Sequence, residues 1–133
     1  MKKGYGDNIE ALTLKNENFR QVLYTAAHSQ LVLMSLLPSE EIGAEVHPDN
    51  DQFIRVEQGE GKAVINGNEY ALTDGSAIIV PAGAEHNVIN TSAGAKMKLY
   101  TLYSPAHHRD GVVHATKAEA LADEEEFTGQ TTE

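Results

Sequence analysis

Apolar and polar residues alternate with a period of two along most of this chain, the pattern of strands with one face inward and one outward. Segments 19–26 (FRQVLYTA), 30–36 (QLVLMSL), 42–47, 52–58, 62–65, 69–72, 76–80, 85–90 and 97–103 read as strands. Their ends carry turn chemistry. Pro38 stops the second, Pro48-Asp49-Asn50-Asp51 the third, Gly59-Glu60-Gly61 the fourth, and Pro81 the one that begins at Ser76. Asn66-Gly67 supplies the positive φ angles of a tight hairpin between 62–65 and 69–72. About nine short strands, with turns every ~8–12 residues, predict an all-β sandwich or barrel.

Two stretches break the pattern. Residues 8–14 read equally as a short strand or a turn of helix. Thr116-x-x-Glu119 is a capping box, followed by the helix formers Ala120, Leu121 and Ala122, and predicts a short C-terminal helix over 117–125. No repeat or linker interrupts the 133 residues, so a single domain over 1–133 is expected, with its barrel core at about 19–104.

Composition narrows the chemistry. There is no cysteine, which excludes disulfide scaffolds, zinc ribbons and thiol nucleophiles. The net charge is −10 and no basic patch is visible, which argues against nucleic acid and anionic lipid as partners. Half of that charge sits in residues 123–133, which hold Asp123, Glu124, Glu125, Glu126 and Glu133 with no base. This stretch reads as a solvated acidic tail. The N-terminal MKKGYGDNIE has no apolar run behind its lysines, and no segment has the roughly 18 consecutive apolar residues of a membrane span. A cytoplasmic protein is the expectation.

Two segments carry candidate chemistry: Glu45-x-His47-x4-Gln52-x6-Gly59, and Gly75-x5-Pro81-x-Gly83-x2-His86-x3-Asn90. Glu45 and His47 are two apart on one strand and share a face. Gln52 shares its face with Ile54 and Val56, which read as core, and His86 shares its face with Val88 and Asn90. Inward polar groups are costly unless paired, and a metal ion pairs several at once. Two imidazoles and a carboxylate suit Fe(II), and the N/O donor set also suits Mn, Ni, Cu or Zn. Asp51 is a minor rival to Gln52 as an oxygen ligand. Arg55 has the opposite parity to Gln52 and is expected to point outward.

These segments resemble the two motifs of the cupin superfamily, G-x5-H-x-H-x3,4-E-x6-G and G-x5-P-x-G-x2-H-x3-N. The second is met at every fixed position by Gly75, Pro81, Gly83, His86 and Asn90. The first is met in spacing, with Glu45 at the first histidine, Gln52 at the glutamate, and Ser39 at the usual place of the upstream glycine. The resemblance implies a double-stranded β-helix (jelly-roll barrel), one divalent transition metal (Fe, Mn, Ni, Zn or Cu), and Glu45, His47, Gln52 and His86 as its ligands. Pro81 and Gly83 would shape a turn, and Asn90 would support its strand. Segment 47–61 is similar to small cupins labelled mannose-6-phosphate isomerase-related. The function this implies is a metal-dependent enzyme for a small polar substrate, sugar phosphate isomerase-like or dioxygenase-like. The alternative is a non-catalytic sugar- or metal-binding module or structural dimer, and a homodimer is expected in either case.

Four further histidines stand outside both motifs. His28 reads as structural or exposed. His107, His108 and His114 fall within eight residues after the last strand. They form either a solvated loop or a segment over the barrel mouth that offers an imidazole to substrate as acid or base.

Overall fold

A computed structural model describes residues 1–133. In chain order the elements are α1 (Ile9–Lys15), β1 (Arg20–Thr25), β2 (Gln30–Leu36), β3 (Asp51–Gln58), β4 (Gly61–Ile65), β5 (Asn68–Leu72), β6 (Ala77–Val80), β7 (His86–Asn90), β8 (Met97–Ser104), β9 (Val113–His114) and α2 (Lys117–Ala122). The strands form a six-stranded sheet, β6-β3-β8-β2-β1-β9, and a three-stranded sheet, β5-β4-β7, with every pairing antiparallel. The expected double-stranded β-helix with a short C-terminal helix is the fold observed. No helix is long and apolar enough to cross a membrane.

Alternation does what its period promises. In β3 the buried residues are Gln52, Ile54 and Val56; in β7 they are His86, Val88 and Asn90. One apolar cluster fills the space between the sheets, drawing Val32, Met34 and Leu36 from β2, Leu99 from β8 and Val88 from β7. Where β4 meets β7 the backbones approach so closely that a Cβ on Gly61 would lie 2.2 Å from the Ile89 carbonyl oxygen. Only glycine fits there.

The structure departs from the sequence pattern in several places. Segment 42–47 is not a strand. It touches β7 through two isolated bridges, Glu41 to Ile89 and Glu45 to His86. Between them Gly43 turns out of the extended region, at φ +106, with its N–H held by Asn87 Oδ1 at 2.9 Å. Residues 8–14 resolve to helix: the Asn8 side chain caps α1 by accepting from the Ala11 N–H at 2.9 Å. The C-terminal helix ends at Ala122 rather than 125, because Asp123 is already extended.

The acidic tail is not free in solvent either. Residues 123–133 fold back onto the barrel. The Glu125 carboxylate meets His108 Nδ1 at 2.6 Å and accepts from the Arg109 N–H at 2.7 Å, the Phe127 N–H donates to the His107 carbonyl at 3.1 Å, and the Thr132 N–H donates to the Thr25 carbonyl at 2.9 Å. The Glu133 carboxylate accepts from the Tyr24 hydroxyl at 2.6 Å and from the N–H groups of Lys3 and Gly4. A run of acids looks solvated only until its partners are known.

Candidate metal centre

The site forms where segment 42–47 crosses the start of β7. Glu45 and His86 exchange both backbone hydrogen bonds, each at 2.9 Å, so they sit directly opposite one another. His47 is fixed two residues on by its carbonyl, which accepts from the Gly83 N–H at 2.9 Å. That N–H is presented by a turn over 81–84, closed by the Ala84 N–H on the Pro81 carbonyl. Gly83 holds φ +85 at the third position, where a type II turn requires a positive angle. The outer side of this corner is tied by Asp51, whose carboxylate accepts from the Ala82 N–H at 2.9 Å. Asp51 is exposed and serves the turn, not the interior.

One ligand atom from each of Glu45, His47 and His86 lies within 4.8 Å of the other two, a group that can hold a metal ion. Both histidines are 6% exposed. His86 Nδ1 lies 3.0 Å from the Ala84 carbonyl oxygen. A carbonyl can only accept, so Nδ1 carries the proton and Nε2 keeps its lone pair for a ligand. His47 Nε2 lies 2.9 Å from Glu45 Oε2, yet off the line of a hydrogen bond, and is buried without a hydrogen-bond partner. Such a spacing suits two donors that share one ion. Burial pushes the Glu45 carboxyl up, but His47, Arg20 and His86 together outweigh it and hold the group below its ordinary value.

Gln52 faces the same interior from β3. It is 3% exposed, and its amide nitrogen donates to Thr101 Oγ1 at 3.0 Å. That bond fixes the amide's orientation and leaves Oε1 buried with no partner. Two buried atoms without a hydrogen-bond partner, His47 Nε2 and Gln52 Oε1, thus accompany a carboxylate and an imidazole of set tautomer. This donor set fits a divalent transition ion. Asn90, on the same face of β7, is not part of it. Its amide nitrogen reaches the carbonyls of Leu36, Leu37 and Ala95, and its oxygen accepts from the Ser92 N–H. Gly59 and Gly75 are also outside it: Gly59 donates its N–H to Asp74 at the loop joining β3 to β4, and Gly75 donates to the Val56 carbonyl.

The matched family is the cupin domain, over residues 32–103. The chain belongs to the cupin family. Among the relatives of this cupin, an uncharacterised protein of Acanthamoeba polyphaga mimivirus is 45% identical over 119 residues, 87% of this chain and 74% of that one. The uncharacterised protein YrkC of Bacillus subtilis (strain 168) is 47% identical over 124 residues, 89% of this chain and 66% of that longer one. A crystal structure of a Bacillus halodurans protein is 42% identical, covers 91% of this chain and 96% of its own, and superposes with a TM-score of 0.88.

A cavity of about 390 Å³ opens over the centre. Glu45 and His47 line it from below, Arg20 and Phe19 from β1 and the residue before it, His107 and His108 from the loop after β8, and α2 and the tail from above. Of the three late histidines, His107 comes nearest the centre, its ring 4.1 Å from that of His47. Burial first, then the neighbouring His108 and His47, push its imidazole down to about 4. The loop is held from beneath. Gln30 accepts from the N–H groups of His107 and His108 and donates to the His108 carbonyl, and Asn50 donates to the carbonyls of Pro105 and Ala106. His108 Nδ1 lies 2.6 Å from Glu125, and its Nε2 lies 3.3 Å from the hydroxyl of Tyr103, whose own proton burial holds firmly. His28 is exposed, and Arg55 points outward to pair with Glu57, both as expected.

The sequence pattern does not single out Arg20, Tyr103 or Glu125. Arg20 has the same parity as the core residue Val22, which was the available signal. Tyr103 lies opposite Gln52 in the β3–β8 register, a relation no local pattern reveals.

Proposed function

We propose that this cupin is a metal-dependent enzyme for a small polar substrate, of the sugar phosphate isomerase-like or dioxygenase-like kind. The reading is carried by one observation: Glu45, His47 and His86 bring ligand atoms within 4.8 Å of one another, with Glu45 and His47 lining a cavity and His47 Nε2 buried without a hydrogen-bond partner. Its volume of about 390 Å³ suits a single small molecule. Glu45, His47, His86 and Gln52 would hold one ion of Fe, Mn, Ni, Zn or Cu. With Glu45 as the one anionic ligand, a bound divalent ion keeps net positive charge and supplies Lewis acidity toward a carbonyl or hydroxyl.

The protein's own groups do the rest. His86 is locked by Ala84 with its proton on Nδ1. Gln52 is oriented by Thr101. His107, clamped by Gln30 and facing the cavity, is the group placed to exchange a proton with substrate. A homodimer in the cytoplasm belongs to the same reading. The neutral Gln52, a weaker donor than a carboxylate, favours a second one: a binding module without turnover.

The two readings separate on His107. Metal-loaded protein is assayed against a panel of sugar phosphates and small oxygenated acids. For an enzyme, His107→Gln keeps the metal and loses roughly 10²–10⁴-fold in turnover. A panel that stabilises the protein thermally but is never converted indicates the module.

A further inference from the structure

The cavity contains an arginine that no carboxylate contacts. The chain has three arginines, and two of them pair with carboxylates: Arg55 with Glu57 at 2.7 Å, and Arg109 with Asp123 at 3.6 Å. Arg20 pairs with none, although it is only 8% exposed and lines the cavity beside Glu45 and His107. Leaving a buried guanidinium N–H without a hydrogen-bond partner is costly, and a ligand that accepts from it offsets that cost.

The guanidinium is already oriented. Its Nη1 lies 3.4 Å from His114 Nδ1, across the β1–β9 pairing that sets Arg20 opposite His114. His114 Nε2 lies 3.0 Å from the Asp123 carboxylate. That carboxylate accepts, so Nε2 holds the proton and Nδ1 offers its lone pair to Arg20. Phe19 supports the group from below, with Arg20 Cζ 5.4 Å from the ring centroid. These contacts occupy the Nη1 end. The opposite edge consists of Nε and Nη2, two parallel donors, and Nε is buried with no hydrogen-bond partner.

We infer that Arg20 is the anion-recognition group of this cavity and that the ligand is a small carboxylic acid held side-on by Nε and Nη2. A carboxylate presents two oxygens in one plane, at the spacing of that edge. A phosphate dianion suits the cavity less well, since three of its lining residues, Glu45, Asp123 and Glu125, are themselves acids. The inference deepens the proposed function by naming its substrate class, and it favours the dioxygenase-like branch of that reading over the sugar phosphate one. It rests on the cavity being the substrate site, and not on the ion being bound.

The test is calorimetric titration of the full chain with glycolate and L-lactate, with their neutral amides glycolamide and lactamide, and with inorganic phosphate. It is done on protein as purified and on protein stripped of metal, with metal content measured alongside. The acids are expected to bind both forms, and the amides and phosphate at least about tenfold more weakly. Arg20→Gln weakens acid binding roughly tenfold to a hundredfold and leaves metal content unchanged. Arg20→Lys keeps the charge without the two-donor edge, loses most of the same affinity, and serves where Arg20→Gln does not fold. Acids that do not bind, amides that bind equally well, tighter binding of phosphate, or variants that bind like the wild type would each overturn the inference. Acid binding in protein that never holds metal overturns the metal reading and leaves this one standing.

Discussion

Asn90 shows how much a single buried amide can organise. It is 1% exposed and meets the carbonyls of Leu36, Leu37 and Ala95 and the N–H of Ser92. It thereby ties the end of β7 to the end of β2 and to the loop before β8. Asn90→Ala strands several of these groups away from water. It is expected to destabilise the protein by about 3 kcal/mol, read as a lower denaturant midpoint at unchanged slope. Asn90 was legible as a motif residue from its spacing alone, and so were His47, His86 and Gln52, because a period of two fixes which face a strand residue takes. Arg20 was not. Its surroundings are made by β9, a strand of two residues, too short to leave any periodic trace.

At the scale of elements, turn residues and alternation located eight of the nine predicted strands to within a residue or so. The exception, 42–47, alternates correctly but contains Gly43, and a strand cannot propagate through that backbone angle. The tail was illegible for a different reason. Its docking depends on Glu125 meeting His108, seventeen residues away, and nothing in DEEEF announces a partner. Burial pushes the Glu125 carboxyl up, but the bonds from His108 and the Arg109 N–H prevail and bring it down to about 2. A carboxyl depressed in the folded state stabilises fully above its unfolded value, about 4.5, and loses that contribution as pH falls through about 2. Glu125→Gln is therefore expected to cost about 2 kcal/mol at pH 6, and the gap from wild type should close between about pH 4.5 and 2. Thermal melts across that range check it; a gap independent of pH would show that the carboxylate's charge plays no part in docking the tail.

Across the whole molecule, the two sheets, the 104–109 loop, α2 and the returning tail converge on one end of the barrel. Every orphaned buried side-chain atom lies there: Arg20 Nε, His47 Nε2 and Gln52 Oε1. Arg20 and His47 line one cavity and Gln52 faces the barrel interior, and these unsatisfied atoms are the physical case for a bound ion and a bound acid. The most direct check is elemental analysis of native protein purified without chelator. About one transition metal ion per chain is expected in the wild type, and almost none in His47→Ala and His86→Ala variants that keep their far-UV circular dichroism. Wild-type protein free of such metal, or variants that retain it in full, would contradict a metal centre at Glu45, His47, Gln52 and His86.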